Sequence, residues 1–346
     1  MTDQRQVPPT RVAMAGFGAW GQMHARAVRA IEGAEVAAIF CHGDPSEKAA
    51  ATLFPDVPRY RDYDAMLAAG GFDVACVTVP NHVHSRFAVA ALDAGAHVVL
   101  EKPMGLTIDE CDAVIAAARR NGRQVTLDHE LRVSKQWGVV RDVVAAGDVG
   151  KVRYQNFTLF RYPFSQGSGG WRQDPARVGS WILEEMVHFY DLVLWYAREN
   201  GLPSAVRAFG EPAGRGLVKN FGTLLEWRDG STAFLTQTLQ GFEHHTMLEL
   251  AGTEGAVRTW WSAATARETQ SAFELKVRRR GQSGAETIEV PRSGEVYELE
   301  ENLRQAFIAF AEGRSPLPPE EAKASVVLCL AAEEAHATGR TITPAF

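Results

Sequence analysis

A chain of 346 residues suggests two domains, and 46% hydrophobic with 23% charged residues describes an ordinary globular protein. The net charge of −6 argues against a nucleic-acid partner or an anionic membrane surface. No apolar run is long enough to span a membrane, and the four dispersed cysteines form no C-x-x-C pair. The lead-in Met1-Thr2-Asp3-Gln4-Arg5-Gln6 has no signal-peptide core, so a cytoplasmic location is expected.

In chain order, Arg11–Ala15 reads as a first strand and Gln22–Ile31 as a helix. Between them stands Gly16-Phe17-Gly18-Ala19-Trp20-Gly21. G-x-G-x-x-G between strand and helix is the context in which the glycines admit a pyrophosphate and the helix start faces it. The other reading is a tight turn alone. The second strand, Glu35–Cys41, should be followed by an acid for the adenosine ribose, but His42 occupies that place, with Asp44 two residues on. Helices over Pro45–Phe54 and Asp62–Ala69 precede a buried strand, Val74–Val79. Pro80-Asn81-His82-Val83-His84 then leads into a helix to about Ala94.

Val98-Val99-Leu100 is a short buried strand ended by Glu101-Lys102-Pro103, because proline cannot donate to a ladder. Lys102 therefore stands at the carboxyl end of a strand, where open α/β sheets take ligands. Thr107 and Glu110 form a capping box for a helix to Arg120, and Val125–Leu127 is a further strand. Strands separated by helices predict a doubly wound parallel sheet over residues 1–128.

Residues 129–346 read as an α+β domain, with the last helices able to pack back on the first. A helix over Trp137–Ala146 precedes Val152–Tyr162, which alternates like an exposed strand, and a glycine-rich loop at Ser165–Gly170. Ile182–Arg198 has helical spacing. Strands follow at Ala205–Gly210, Gly222–Trp227, Thr232–Leu239, Thr246–Ala251, Ala256–Trp261 and Glu274–Arg280, with a hairpin turn at Arg228–Ser231. Neighbouring strands without intervening helices predict an open, mostly antiparallel sheet. Helices over Glu298–Glu312 and Pro319–Thr338 close the chain.

Glu184 and His188, four apart on an apolar helix, share a face, and a carboxylate beside an imidazole suits a proton acceptor. A satisfied core histidine is the bland alternative, with Asp191 pairing or capping. Asp128-His129-Glu130-Leu131-Arg132 reads either as a solvated domain boundary or as a source of cleft residues, His129 and Arg132 among them. Trp171 and Arg172 offer an apolar wall and a donor, and Arg161 and Tyr162 are further substrate-facing candidates. No metal is expected: H-E-x-x-H is missing, and His244 and His245 alternate across a strand.

The order Gly16-x-Gly18-x-x-Gly21, Pro80-Asn81-x-x-His84, Glu101-Lys102-Pro103, His129-x-x-Arg132 and an acid four before His188 resembles the glucose–fructose oxidoreductase/inositol dehydrogenase (Gfo/Idh/MocA) family over nearly the whole length. The resemblance implies an N-terminal Rossmann domain, a C-terminal α/β domain with an open sheet, and a nicotinamide cofactor between them. It carries Lys102, Glu184 and His188 over as the catalytic group, with Glu184 standing where the family usually has Asp. It places Gly16, Phe17, Gly18, Ala19, Trp20, His42, Pro80, Asn81, His84, Glu101 and Lys102 toward the cofactor, NAD or NADP with a lean to NAD. His129, Arg132, Arg161, Tyr162, Trp171 and Arg172 would face a sugar or polyol substrate together with Lys102, Glu184 and His188. The expected activity is hydride transfer at a secondary hydroxyl of a cyclic polyol, sugar or glycoside. The rivals are glycoside cleavage through transient 3-oxidation and non-catalytic nucleotide sensing. A homo-oligomer, dimer or tetramer, is expected through the open sheet.

Overall fold

The computed structural model describes residues 9–346, so the polar lead-in Met1–Val7 and Pro8 lie outside it. The chain divides into two compact units: the segment up to Asp128 with Leu299–Ala322, and His129–Glu298 with Lys323–Phe346.

The first unit alternates strand and helix. It runs β1 (Thr10–Ala15), α1 (Ala19–Ala30), β2 (Ala34–Phe40), α2 (Asp44–Leu53), β3 (Arg59–Tyr60), α3 (Tyr63–Ala69), β4 (Val74–Val77), α4 (His84–Asp93), β5 (His97–Leu100), α5 (Ile108–Asn121) and β6 (Val125–Leu127). All five strand pairings are parallel, in the order β3-β2-β1-β4-β5-β6. That order changes direction between β1 and β4, the switch point at which such sheets bind ligands. The apolar runs are buried because helices cover both faces. Val12, Met14, Ile39, Cys76 and Val99 pack against Val28 of α1 and against Leu303, Phe307 and Phe310 of the returning segment. The capping box of α5 forms as expected, Thr107 Oγ1 accepting from Glu110 N at 3.2 Å. Helix α1 starts three residues before the predicted Gln22, directly after Gly18.

The second unit holds α6 (Trp137–Ala145), β7 (Val152–Phe160), α7 (Pro175–Val178), α8 (Val187–Tyr196), β8 (Ala205–Gly214), β9 (Leu217–Glu226), β10 (Thr232–Thr238), β11 (His244–Gly252), β12 (Ala256–Ala263), β13 (Ala272–Arg278) and β14 (Glu286–Thr287). The last two helices are α9 (Glu295–Ala311) and α10 (Pro319–Thr338), of which Lys323–Thr338 belongs here. The eight strands lie in the order β14-β13-β12-β11-β7-β10-β9-β8, antiparallel except for β7 against β10. β7 lies in the middle of the sheet. Its alternation arises because one face is covered and the other is not. On the covered face Phe157 meets Phe189 and Tyr196 of α8 at ring distances of 5.5 and 6.4 Å. On the other, Tyr154, Phe160 and Phe234 stay exposed. β8 and β9 run further than the alternation predicts, joined by Gly214, Arg215 and Gly216, all at positive φ. Among the described residues, no helix is long and apolar enough to cross a membrane.

Candidate active site

The glycine loop owes its shape to three different constraints. Gly16 has φ +114°, where a side chain is strained, and a Cβ there would meet Thr78 O at 2.9 Å. A Cβ on Gly21 would lie 2.3 Å from Gly16 O, so α1 can approach the loop only without one. Gly18, by contrast, has nothing within 4 Å of its would-be Cβ. It heads α1 as an extended N-cap with no capping side chain, the arrangement in which an anion serves as the cap. The loop therefore fits a dinucleotide pyrophosphate. Phe17 is corrected from the expected cofactor-facing set: its ring is buried against Phe54, so only its backbone is on offer. Ala19 and Trp20 open the helix, with Ala19 exposed.

His42 stands exposed after β2, with Asp44 beginning α2. Arg61, which no sequence pattern singles out, reaches across from beyond β3 and pairs with Asp44 and, at 2.7 Å, with Glu47.

At the carboxyl ends of β4 and β5, Pro80 leads a short turn in which Asn81 is buried, and the Lys102–Pro103 peptide is cis. His84 touches the backbone of both loops: Nδ1 lies 2.7 Å from Pro103 O and Nε2 2.7 Å from Val79 O. With the ring 1% exposed, His84 positions these loops and does not face a ligand directly, which corrects its expected role. Glu101 is likewise turned inward. Its carboxylate accepts from Trp20 Nε1 and from the backbone N–H of Lys102 at 3.2 Å, and it lies 2.8 Å from His24 Nε2. Lys102 itself is half-buried.

In the second unit, the run that could have been a solvated boundary is buried: His129 and Glu130 are 3% and 4% exposed. The His129 and His188 rings meet edge to face at 5.5 Å, and Glu130 Oε2 lies 3.7 Å from His188 Nδ1. The helix carrying His188 does not begin as a regular one. Ile182–Met186 forms a π-turn, which changes the rotation per residue, so the i, i+4 rule does not apply across it. Glu184, expected to orient His188, accepts from Arg172 Nε at 2.7 Å. The carboxylate seen against His188 Nδ1 is that of Glu130.

Arg172 also stacks on Trp171 at 4.7 Å, and Trp171 is seated over Gly167, where a Cβ would come within 2.6 Å of its Nε1. Arg161 pairs with Glu185 at 2.5 Å and lies over Phe164, whereas Tyr162 is half exposed. A cavity of about 440 Å³, counted with its open mouth, is lined by His188, Glu130, Glu185, His244, Trp261 and Glu298 among others. Burial pushes His244 down to about 4, so it is a neutral ring at physiological pH. Burial raises Glu298 despite its bonds to Ser134, Gly294 and Ser293.

Arg132 is corrected from substrate contact to anchor. It grips Asp191 through Nε and Nη2 at 2.6 and 2.8 Å and stacks on Trp195. Burial opposes ionisation of Asp191, but Arg132, with His129 and His188 nearby, holds it below the usual carboxylate range. Replacing Arg132 by Met should destabilise the protein by about 3–5 kcal/mol, because it strands a buried charge. Urea unfolding of the variant would read this, and an unchanged midpoint would show the pair to be dispensable.

Residues 10–129 match the family model described as "Oxidoreductase family, NAD-binding Rossmann fold", and residues 137–258 match the "GFO/IDH/MocA C-terminal domain". A 1,5-anhydro-D-fructose reductase of Ensifer adhaerens is 28% identical over 199 residues, covering 54% of this chain and 56% of that protein. An inositol 2-dehydrogenase of Salmonella paratyphi B is 26% identical over 199 residues, covering 55% of each. The chain thus spans about half the length of these curated relatives. Among solved structures, the aldose-aldose oxidoreductase of Caulobacter crescentus complexed with glycerol superposes with a TM-score of 0.81 at 20% identity, covering 97% of this chain and 99% of that one.

Proposed function

Because the chain belongs to the GFO/IDH/MocA oxidoreductase family, we propose that it is an NAD-dependent dehydrogenase acting on a secondary alcohol or ketone of a cyclic polyol, sugar or glycoside. The observation that carries this reading is Gly18: open space at the head of α1, on the same sheet that presents Lys102 at the end of β5. The relatives' names, an anhydrofructose reductase and an inositol dehydrogenase, support the substrate class.

A bound nicotinamide supplies the hydride acceptor or donor. The protein supplies the rest. His188 takes the hydroxyl proton as hydride leaves carbon, with Glu130 facing its other side to stabilise the imidazolium. Lys102 supplies the ammonium that offsets developing alkoxide charge. In reduction His188 returns the proton. Glu184 contributes by placing Arg172 and Trp171, which line the substrate together with His129 and Tyr162.

NAD is favoured over NADP because Arg61, the cation beside the end of β2, already serves Asp44 and Glu47. A 2′-phosphate would meet two carboxylates and an occupied guanidinium. The Asp44→Asn/Glu47→Gln double variant should shift preference toward NADP by roughly tenfold, the worth of one released charge–phosphate contact. An unchanged NAD:NADP ratio of kcat/KM would locate cofactor choice elsewhere.

Self-association through the exposed face bearing Tyr154, Phe160 and Phe234 is the expected assembly, dimer or tetramer. The decisive experiment is a panel of inositols, sugars and glycosides with NAD and with NADP, read by nicotinamide absorbance. Net NADH formation supports the dehydrogenase. Bond cleavage without net NADH would replace it by the glycosidase reading, and binding without turnover by nucleotide sensing.

A further inference from the structure

Within the first unit three ionisable side chains meet in a buried place. His24 of α1, Glu101 after β5 and Asp128 after β6 are 1%, 5% and 0% exposed. His24 Nε2 lies 2.8 Å from Glu101 Oε1 and 3.2 Å from Asp128 Oδ2, and Asn302 Nδ2 donates to Asp128 Oδ1 at 2.6 Å. Glu101 ties the trio to the dinucleotide side of the sheet, because it holds Trp20 of the glycine loop and the backbone N–H of Lys102.

We propose that His24, Glu101 and Asp128 form a proton-linked positioning unit, in which the charge state of Asp128 sets how tightly the dinucleotide is held. The inference rests on the dinucleotide-binding part of the reading above. The groups facing Asp128 are His24, Glu101 and the Cys76 thiol, with Lys102 acting on Glu101. Burial opposes protonation of His24, yet its bonds to Asp128, Cys76 and Glu101 outweigh that and hold it as imidazolium. Burial would raise Glu101, but the bond and charge of His24 lower it, so Glu101 is the ionised partner. Asp128 is then pushed up to about 7, first by burial and next by the Glu101 charge.

Below that point imidazolium and one carboxylate balance. Above it the unit carries a net negative charge, one bonded residue away from the loop that takes the pyrophosphate. Dinucleotide affinity should therefore fall as pH rises through neutrality. A metal site is the less favourable reading of the same trio. A metal ion would be held by His24, Glu101 and Asp128 only if Nε2 gave up the proton it shares with Glu101 Oε1.

The test is the dissociation constant of NADH, measured calorimetrically between about pH 6 and pH 8.5. Wild-type protein should lose about three- to tenfold in affinity across that range. Asp128→Asn should flatten the profile. His24→Gln keeps a donor but removes the cation, so the midpoint should move up by about one pH unit. Glu333→Gln serves as control. Glu333 is another buried acid, pushed up to about 7 by burial and bonded to Ser180 in the second unit, and its loss should leave the NADH profile as in wild type. A wild-type profile in Asp128→Asn, or one equivalent of tightly bound metal in the purified protein, overturns the inference alone. Failure of any nicotinamide dinucleotide to bind at either pH removes the underlying reading with it.

Discussion

Replacing Lys102 by Met, or His188 by Asn, should lower turnover by about two to four orders of magnitude; dinucleotide affinity should stay within about twofold for His188→Asn and within about tenfold for Lys102→Met, which also removes a charge acting on Glu101. Met preserves the aliphatic stem of Lys102 and its backbone N–H bond to Glu101, so the loop keeps its shape and only the ammonium is lost. Asn keeps a polar group in the buried place of the His188 ring, beside His129 and Glu130, but cannot take a proton. Lost kcat with a dinucleotide dissociation constant held within those bounds is the signature of groups acting on the reacting oxygen. Full activity in both variants would eliminate the mechanism. A parallel collapse of binding would instead place the two residues among the cofactor contacts.

The second large effect separates two glycines three residues apart. Gly18→Val should abolish dinucleotide binding, by at least about a hundredfold, with stability changed by no more than about 0.5 kcal/mol. Its backbone, at φ −69°, suits any residue, and no protein atom stands within 4 Å of the new Cβ, so the side chain enters only the space meant for the cofactor. Gly21→Ala should do the reverse. Its Cβ would fall 2.3 Å from Gly16 O and 2.7 Å from Thr78 Oγ1, forcing α1 off the sheet at a cost of about 1–3 kcal/mol. Paired thermal melts and NADH titrations check both. Equal effects of the two substitutions on stability would mean that the open space at Gly18 is not a ligand cradle.

These contrasts also mark what the chain makes legible. The first unit is written in local terms: apolar runs of strand length, glycines at a turn, a proline after Lys102, and Thr107 with Glu110 at a helix start. Each acts within a few residues, so each can be read from the sequence. The second sheet is readable as a set of strands, but the parallel pairing of β7 with β10 links segments far apart in the chain, and no short pattern announces it. The site shows the same division. Residue types such as Lys102 and His188 stand out in their segments. Partnerships such as Arg132 with Asp191, 59 residues away, or His24 with Glu101, 77 away, depend on tertiary folding. His24 does carry a signal, standing three after Gly21 and four before Val28 on the buried face of α1. Asp128 and Glu130 carry none, because a run of ionisable residues looks the same whether solvated or enclosed. The π-turn at Ile182–Met186 is equally silent, and no spacing rule announces that Glu184 accepts from Arg172.

The return of Leu299–Ala322 to the first unit has a consequence for biosynthesis. The ribosome releases all six strands of the nucleotide fold long before Leu303, Phe307 and Phe310 exist to cover their apolar side. The nascent chain must therefore carry that uncovered surface while the whole intervening segment His129–Glu298 is made. The core of the first unit is thus completed only after Leu299–Ala322 has been made.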